Sequence, residues 1–230
     1  KIIKNALVFR TKLKKKIFLG CVLTNKNKEQ VLPLLEYAHK NKFGFALIPL
    51  LTTGKTKKGS KLDFPITEKL AVIKKCFRKA KELGAFFVPV VPPAFYPRDK
   101  VKSRKNYLFC SFPYNLEITA GGDVFPCDGL KNNKELCVGN IKKQSLKDIW
   151  ETSKKLKEIR KKSRNKLRGI CTNCKFLQTC RGGCRASAYL NYKSFNMPDA
   201  FCQAAFETGV FPKNALEQKS RQNKLQKNKN

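Results

Sequence analysis

Apolar residues follow two contrasting patterns along this chain, and the change comes near residue 106. Before it, short apolar runs alternate with amphipathic stretches. The opening KIIKNALVFRTKLKKK has mixed helical periodicity, and KIFLGCVLT after it is a compact apolar run that suits a buried strand. Thr24 and Asn25 are placed to cap a helix over NKEQVLPLLEYAHKNK, where apolar residues recur at three- and four-residue intervals. FGFALIPLL reads as a second buried strand, ended by the loop TTGKTKKGS. Thr67 opens a second amphipathic helix, which Gly84 closes. FFVPVVPP is extended, but its three prolines confine it to an edge or an exit from the sheet. This βαβα order predicts a parallel sheet with covering helices, and two such units look like the end of something larger.

Beyond residue 106 the periodicity is different. YNLEITAGGDVFPC alternates on both sides of a Gly-Gly-Asp turn, which predicts a β-hairpin. KELCVGNI is a further short strand. SLKDIWETSKKLKEIRKK predicts one helix with Ser145 as N-cap and Trp150 on the apolar face. RASAYLNY suits a short helix, and from Lys213 onward the basic, polar sequence predicts a disordered tail over 213–230.

The composition changes this picture less than its charge suggests. The 230 residues carry a formal charge of +34, and 41% are hydrophobic, enough for a buried core. The excess is mostly lysine and is spread along the chain, whereas arginine is the residue favoured for bidentate phosphate and guanine recognition. A residue bias across the whole sequence explains that spread, so nucleic acid is not the expected partner; the competing reading is a basic patch for an anionic one. No apolar run is long enough to span a bilayer and none has the layout of a signal peptide, so no membrane association and a cytoplasmic location are expected. In that reducing compartment, thiols serve more often as metal ligands or catalysts than as disulfides. The chain opens with Lys1 and its only methionine is Met197, which points to a fragment of a longer protein.

Ten cysteines are present, and eight crowd into less than half of the chain: Cys110, Cys127, Cys137, Cys171, Cys174, Cys180, Cys184 and Cys202. Cys21 and Cys76 fall on a strand and a helix, where a small buried hydrophobe is the ordinary role. Zinc ribbons present two C-x2-C pairs, or a Cys pair with a His pair. Here Cys171-x2-Cys174 has no second such pair, and the single histidine, His39, is remote in sequence. Iron–sulfur clusters take all-thiolate ligation at irregular spacing. Gly182 and Gly183 would let backbone approach a bulky inorganic core. The chemistry favours iron–sulfur, although spacing in this stretch does not decide it alone.

Across the wider sequence, Cys110 is followed after eleven residues by Gly122 and after four more by Cys127. Then come Cys171-x2-Cys174-x5-Cys180-x3-Cys184 and, after a longer gap, Cys202. With GGDVFPC, VGNI, SLKDIW and GGCRASAY, this order resembles the SPASM domain of radical S-adenosylmethionine (SAM) enzymes over residues 106–202. Residues 1–100 are similar, more loosely, to the last βα units of the radical SAM partial barrel.

The resemblance implies an α/β fold: the last βα units of a partial (β/α) barrel over 1–100, then a small α+β iron–sulfur domain over 106–205. It implies two auxiliary [4Fe-4S] clusters, the first on Cys110, Cys127 and Cys184 and the second on Cys171, Cys174, Cys180 and Cys202. A further cysteine that many relatives carry before the first one has no counterpart in VKSRKNYLF. The first cluster then keeps an open iron site, or takes Cys137 or a non-thiol ligand. Asp128, directly after Cys127, is either the catalytic base of the sulfatase-maturase branch or a turn aspartate before Gly129. Arg185 either offsets cluster charge or is solvated or backbone-bonded.

The C-x3-C-x2-C loop that binds the catalytic cluster is absent, so SAM and a third [4Fe-4S] cluster are expected on a missing N-terminal part, and the chain alone is expected not to cleave SAM. In intact relatives SAM yields a radical that abstracts a substrate hydrogen, while the auxiliary clusters accept an electron or hold the substrate. The implied partners are a peptide or protein substrate and an electron donor such as ferredoxin or flavodoxin. LRGICTNC and GGCRASAY resemble the haem-pathway branch nearly as well, which makes a tetrapyrrole the alternative substrate. Outside the family, the competing readings are a stand-alone iron–sulfur electron-transfer or binding module and a zinc-stabilised nucleic-acid-binding protein.

Overall fold

In the computed structural model, which describes residues 2–13, 16–51, 53, 56, 59–97, 110–164 and 167–217, both patterns become structure. The chain divides into two units: Lys1–Leu50 with Thr56–Val91, and Leu51–Lys55 with Pro92–Asn230. The last crossing between the units falls at Val91/Pro92, and the boundary expected between 100 and 106 lies outside the described residues. Leu51 packs against the core of the second unit, and the Thr53 hydroxyl donates to the Gly129 carbonyl at 3.0 Å.

The first unit begins with helix α1 (Ile2–Leu13) and holds a three-stranded sheet of β1 (Phe18–Leu23), β2 (Gly44–Pro49) and β3 (Phe87–Pro89). All pairings are parallel, in the order β1-β2-β3, with Phe18 opposite Gly44 and Phe45 opposite Phe87. Helix α2 (Val31–Lys40) joins β1 to β2, and α3 (Ile66–Leu83) joins β2 to β3, as the βαβα pattern predicts. Helix α3 buries Ile66, Leu70, Ile73, Cys76 and Ala80, a spacing of three and four that keeps one face inward. Gly84 ends it at φ 63°, and the Ala85 N–H reaches back to the Ala80 carbonyl at 2.8 Å.

Three local details differ from the sequence reading. Thr24 and Asn25 do not cap α2; Asn27 folds back to accept the Thr24 N–H at 2.8 Å, and a 3-10 turn over Lys28–Gln30 leads in. Pro65, not Thr67, precedes the first turn of α3. The strands are also not buried on both sides. Cys21, Leu23, Phe45 and Leu47 face inward, whereas Phe18, Val22 and Ile48 alternate to an exposed face. There the Phe18 ring lies across Gly44, where a Cβ would come within 2.6 Å, and meets Phe86 edge-to-face at 5.4 Å.

In the second unit, β4 (Glu117–Ile118), β5 (Asp123–Phe125) and β6 (Gly139–Asn140) form an antiparallel sheet. Gly122, at φ 91°, makes the hairpin turn, where its N–H meets the Thr119 carbonyl at 2.9 Å. Ser145 caps α4 (Leu146–Thr152) as expected, accepting the Asp148 N–H at 3.1 Å. The helix foreseen through residue 162 breaks at Ser153. Its hydroxyl donates to Val138 at 2.8 Å and accepts the Leu156 N–H at 3.3 Å, so it starts a new helix, α5 (Lys154–Arg164). The core gathers Val124, Leu130, Ile149, Leu156 and Phe195. The tail expected from Lys213 starts ordered: a 3-10 turn over Lys213–Ala215 buries Ala215, and Leu216 bridges to Cys174. Residues 218–230 lie outside the described residues. Among the described residues no helix is long and apolar enough to cross a membrane.

Candidate metal centre

The cysteine-rich segment is a chain of tight turns, and each turn sets one thiol. A 3-10 turn (Gly169–Asn173) presents Cys171; Cys174 follows it and is pinned by the Leu216 bridge. A single turn of helix, α6 (Leu177–Cys180), carries Cys180 at its end. Cys184 caps α7 (Arg185–Tyr192), its sulfur accepting the Ser187 N–H at 3.4 Å. Cys202 sits in the first turn of α8 (Ala200–Glu207).

Cys171, Cys174, Cys180 and Cys202 line one apolar pocket, with walls that include Pro92, Ile170, Phe176 and Phe211. Phe95 meets Phe201 and Phe211 edge-to-face, at 5.0 and 5.6 Å, so rings also pack beside it. Burial pushes the Cys180 thiol up to about 12 and Cys171 to about 11, and it holds Cys202 well above its ordinary value. Charge on neighbouring thiols adds to each shift, the sign of sulfurs within electrostatic reach of one another.

A second group stands apart. Cys184 is pushed up to about 12, first by burial and then by Asp199, with Cys110 and Cys127 among the charges that raise it. Cys127 is raised by burial and, further down the causes, by Cys110. Cys137 is not among the groups that shift either thiol; its own thiol donates to the Gly139 carbonyl at 3.3 Å. Asp128 is not buried beside the thiols. Its side chain is 64% exposed and pairs with Lys131 at 2.6 Å.

Two buried charged residues complete the centre. Arg185 is 3% exposed; its Nη1 donates to the Phe195 and Met197 carbonyls, both at 2.6 Å, and its Nη2 to the Gly182 carbonyl. It is therefore backbone-bonded rather than solvated, and its charge also favours the Cys171 thiolate. Asp199, 6% exposed, accepts the Cys184 N–H at 2.8 Å, the Ser187 hydroxyl at 2.9 Å and the Phe201 N–H at 3.0 Å. The sequence reading missed Asp199, although an aspartate after Pro198 at the head of an apolar stretch is an N-cap signal. The glycine pair serves these two side chains. A Cβ on Gly182 would come within 2.6 Å of Arg185 Nη2, and one on Gly183 within 2.8 Å of Asp199. Making room for an inorganic core is at most a second role, for Gly182, which also lines the pocket.

A tetrahedral zinc with Zn–S bonds of about 2.3 Å needs sulfurs drawn to within about 3.8 Å of one another. Among the described residues no three Cys, His, Asp or Glu side chains form a group that could hold one metal ion. Four of the thiols line one pocket, and an all-thiolate lining is the donor set that iron–sulfur clusters take.

Fold and site thus define a class: one unit of parallel βα structure, and a second, cysteine-rich unit whose thiols line a pocket. Residues 110–175 match the SPASM family, described as an iron–sulfur cluster-binding domain. The proteins it is similar to are radical SAM/SPASM enzymes. It is 31% identical over 85 residues to the AdoMet-dependent heme synthase of Methanosarcina barkeri, covering 37% of this chain and 22% of that one. It is 37% identical over 68 residues to the cysteine-type anaerobic sulfatase-maturating enzyme of Clostridium perfringens, covering 30% and 18%. The fold is similar to Streptococcus suis SuiB bound to the precursor peptide SuiA, with TM-score 0.58, 23% identity, and 87% and 47% of the two chains covered. The matched regions thus span about a fifth of those two relatives and about half of SuiB.

Proposed function

We propose that the chain is the C-terminal part of a radical SAM/SPASM enzyme that matures a peptide or protein. The observation that carries this reading is the gathering of Cys171, Cys174, Cys180 and Cys202 around one apolar pocket. These four would hold one [4Fe-4S] cluster, and Cys110, Cys127 and Cys184 a second. Such clusters supply a site that accepts an electron or binds substrate. The protein's own part is to bury the thiols, exclude water with Phe95, Phe201 and Phe211, and leave one ligand position of the first cluster to Cys137, to a non-thiol group or to the substrate. Asp128, exposed beside Cys127 and held by Lys131, is accessible as the base that takes a substrate proton. SAM and a third cluster belong to sequence outside these 230 residues, and a ferredoxin or flavodoxin would be the electron donor.

A peptide substrate is supported by the relatives, which include a sulfatase-maturating enzyme and a structure bound to a precursor peptide. The similarity to a heme synthase supports a tetrapyrrole as the second reading. Anaerobic purification with iron, sulfide and zinc analysis tests the clusters: ~8 irons and ~8 sulfides per chain are expected. Zinc without iron overturns the reading. SAM cleavage by this chain alone, under reducing conditions, would overturn its placement as the C-terminal part.

A further inference from the structure

Asp199 is a buried carboxylate among thiols that metal binding would make anionic, and electrostatics alone does not put it there. Its charge raises Cys171, Cys180, Cys184 and Cys202, opposing the thiolates that a cluster requires. What the position supplies is geometry. Oδ2 accepts the backbone N–H of Cys184, from one thiol group. Oδ1 accepts the Ser187 hydroxyl and the Phe201 N–H, and Phe201 immediately precedes Cys202 of the other group. The Asp199 N–H donates to the Gly182 carbonyl at 3.0 Å, and the Ser187 oxygen accepts the Ala200 N–H at 3.1 Å. Gly183, at φ 72°, has no side chain to block this approach.

We infer that Asp199 is a positioning residue that couples the two sites, so that filling one set of thiols favours filling the other. Fixing Cys202 fixes the first turn of α8 and hence the carboxylate. The carboxylate then holds the Cys184 N–H, and with it the thiol that the other site needs. The inference rests on the reading of both groups as cluster ligands.

The test is stepwise anaerobic iron and sulfide loading of the full chain, with clusters per chain counted by native mass spectrometry. Wild type is expected to pass from empty to two clusters with fewer one-cluster chains than independent sites would give. Asp199→Asn offers one good acceptor fewer to three donors, and one-cluster chains should accumulate. Ser187→Ala removes a single donor and should fall between. In a Cys171→Ala/Cys174→Ala background the remaining site is expected to load about tenfold more weakly, and adding Asp199→Asn should weaken it no further. In the two-cluster fraction of Asp199→Asn, the spin–spin broadening of the reduced EPR signal should differ from wild type. A merely structural Asp199 would weaken both sites alike and leave the proportion of one-cluster chains unchanged, which overturns the inference. A wild type that takes up no iron overturns the ligand reading, and the inference with it.

Discussion

Replacing Arg185 by methionine keeps the length and apolar stem of the side chain but removes a guanidinium whose two terminal nitrogens bind three backbone carbonyls at once. Those carbonyls belong to Gly182, Phe195 and Met197, so one side chain ties the cysteine turn to the segment before α8. A hydrogen bond to a charged donor contributes about 1.5–3 kcal/mol, and the vacated carbonyls recover part of that from water or each other. A net loss of about 3–5 kcal/mol follows, in the range for breaking a buried charged cluster. The single tryptophan, Trp150, lies in this unit and reports its unfolding by fluorescence. With a urea dependence of about 2 kcal/mol per molar, the midpoint should fall by about 2 M. Arg185→Lys keeps the charge but not the planar fork, and should recover less than half of the loss. A midpoint within about 0.5 M of wild type for the methionine variant would show that the carbonyls are satisfied without the guanidinium, and the reasoning would fail.

Cys76, in the first unit, allows a pH test. Burial pushes its thiol from 9.0 up to about 12, so between those values the folded protein keeps a proton that the unfolded chain releases. Stability should therefore fall as pH rises above 9, by about 2 kcal/mol at pH 10.5, and Cys76→Ala should flatten that part of the slope. Equal slopes for the two proteins in urea unfolding at pH 7 and 10.5 would refute it. Ser145→Ala removes the cap of α4 and should cost about 1 kcal/mol, read as a shift in the same fluorescence transition. Iron chelation should speed amide exchange over residues 169–202 and leave the α3 amides of the first unit unchanged; equal acceleration in both would contradict cluster-dependent folding.

Features set by neighbours in sequence were legible. The βαβα order, the left-handed end of α3 at Gly84, the hairpin turn at Gly122 and the Ser145 cap all rest on residue type within one or two turns. What escaped rests on distant partners. The break at Ser153 depends on the Val138 carbonyl, fifteen residues earlier, and local periodicity cannot register it. The order of the cysteines across the wider sequence carried the resemblance to an iron–sulfur cluster-binding domain. The grouping of Cys202 with Cys171, Cys174 and Cys180 came from the family resemblance and not from local spacing, because α8 must turn back onto the pocket. The glycine pair was visible as backbone freedom, but its beneficiaries, Arg185 and Asp199, are recognised only through side-chain packing.

The short excursion at Leu51 and Thr53 bears on how this protein can be taken apart. Both belong to the second unit although the chain around them belongs to the first. Cutting at Val91/Pro92 would therefore not free an intact second unit: it would strip Leu51 from the core and leave the Gly129 carbonyl without its hydroxyl donor, two residues from Cys127. Domain exchange between relatives would have to carry that stretch along, so these units travel as a pair joined by three crossings of the chain rather than one.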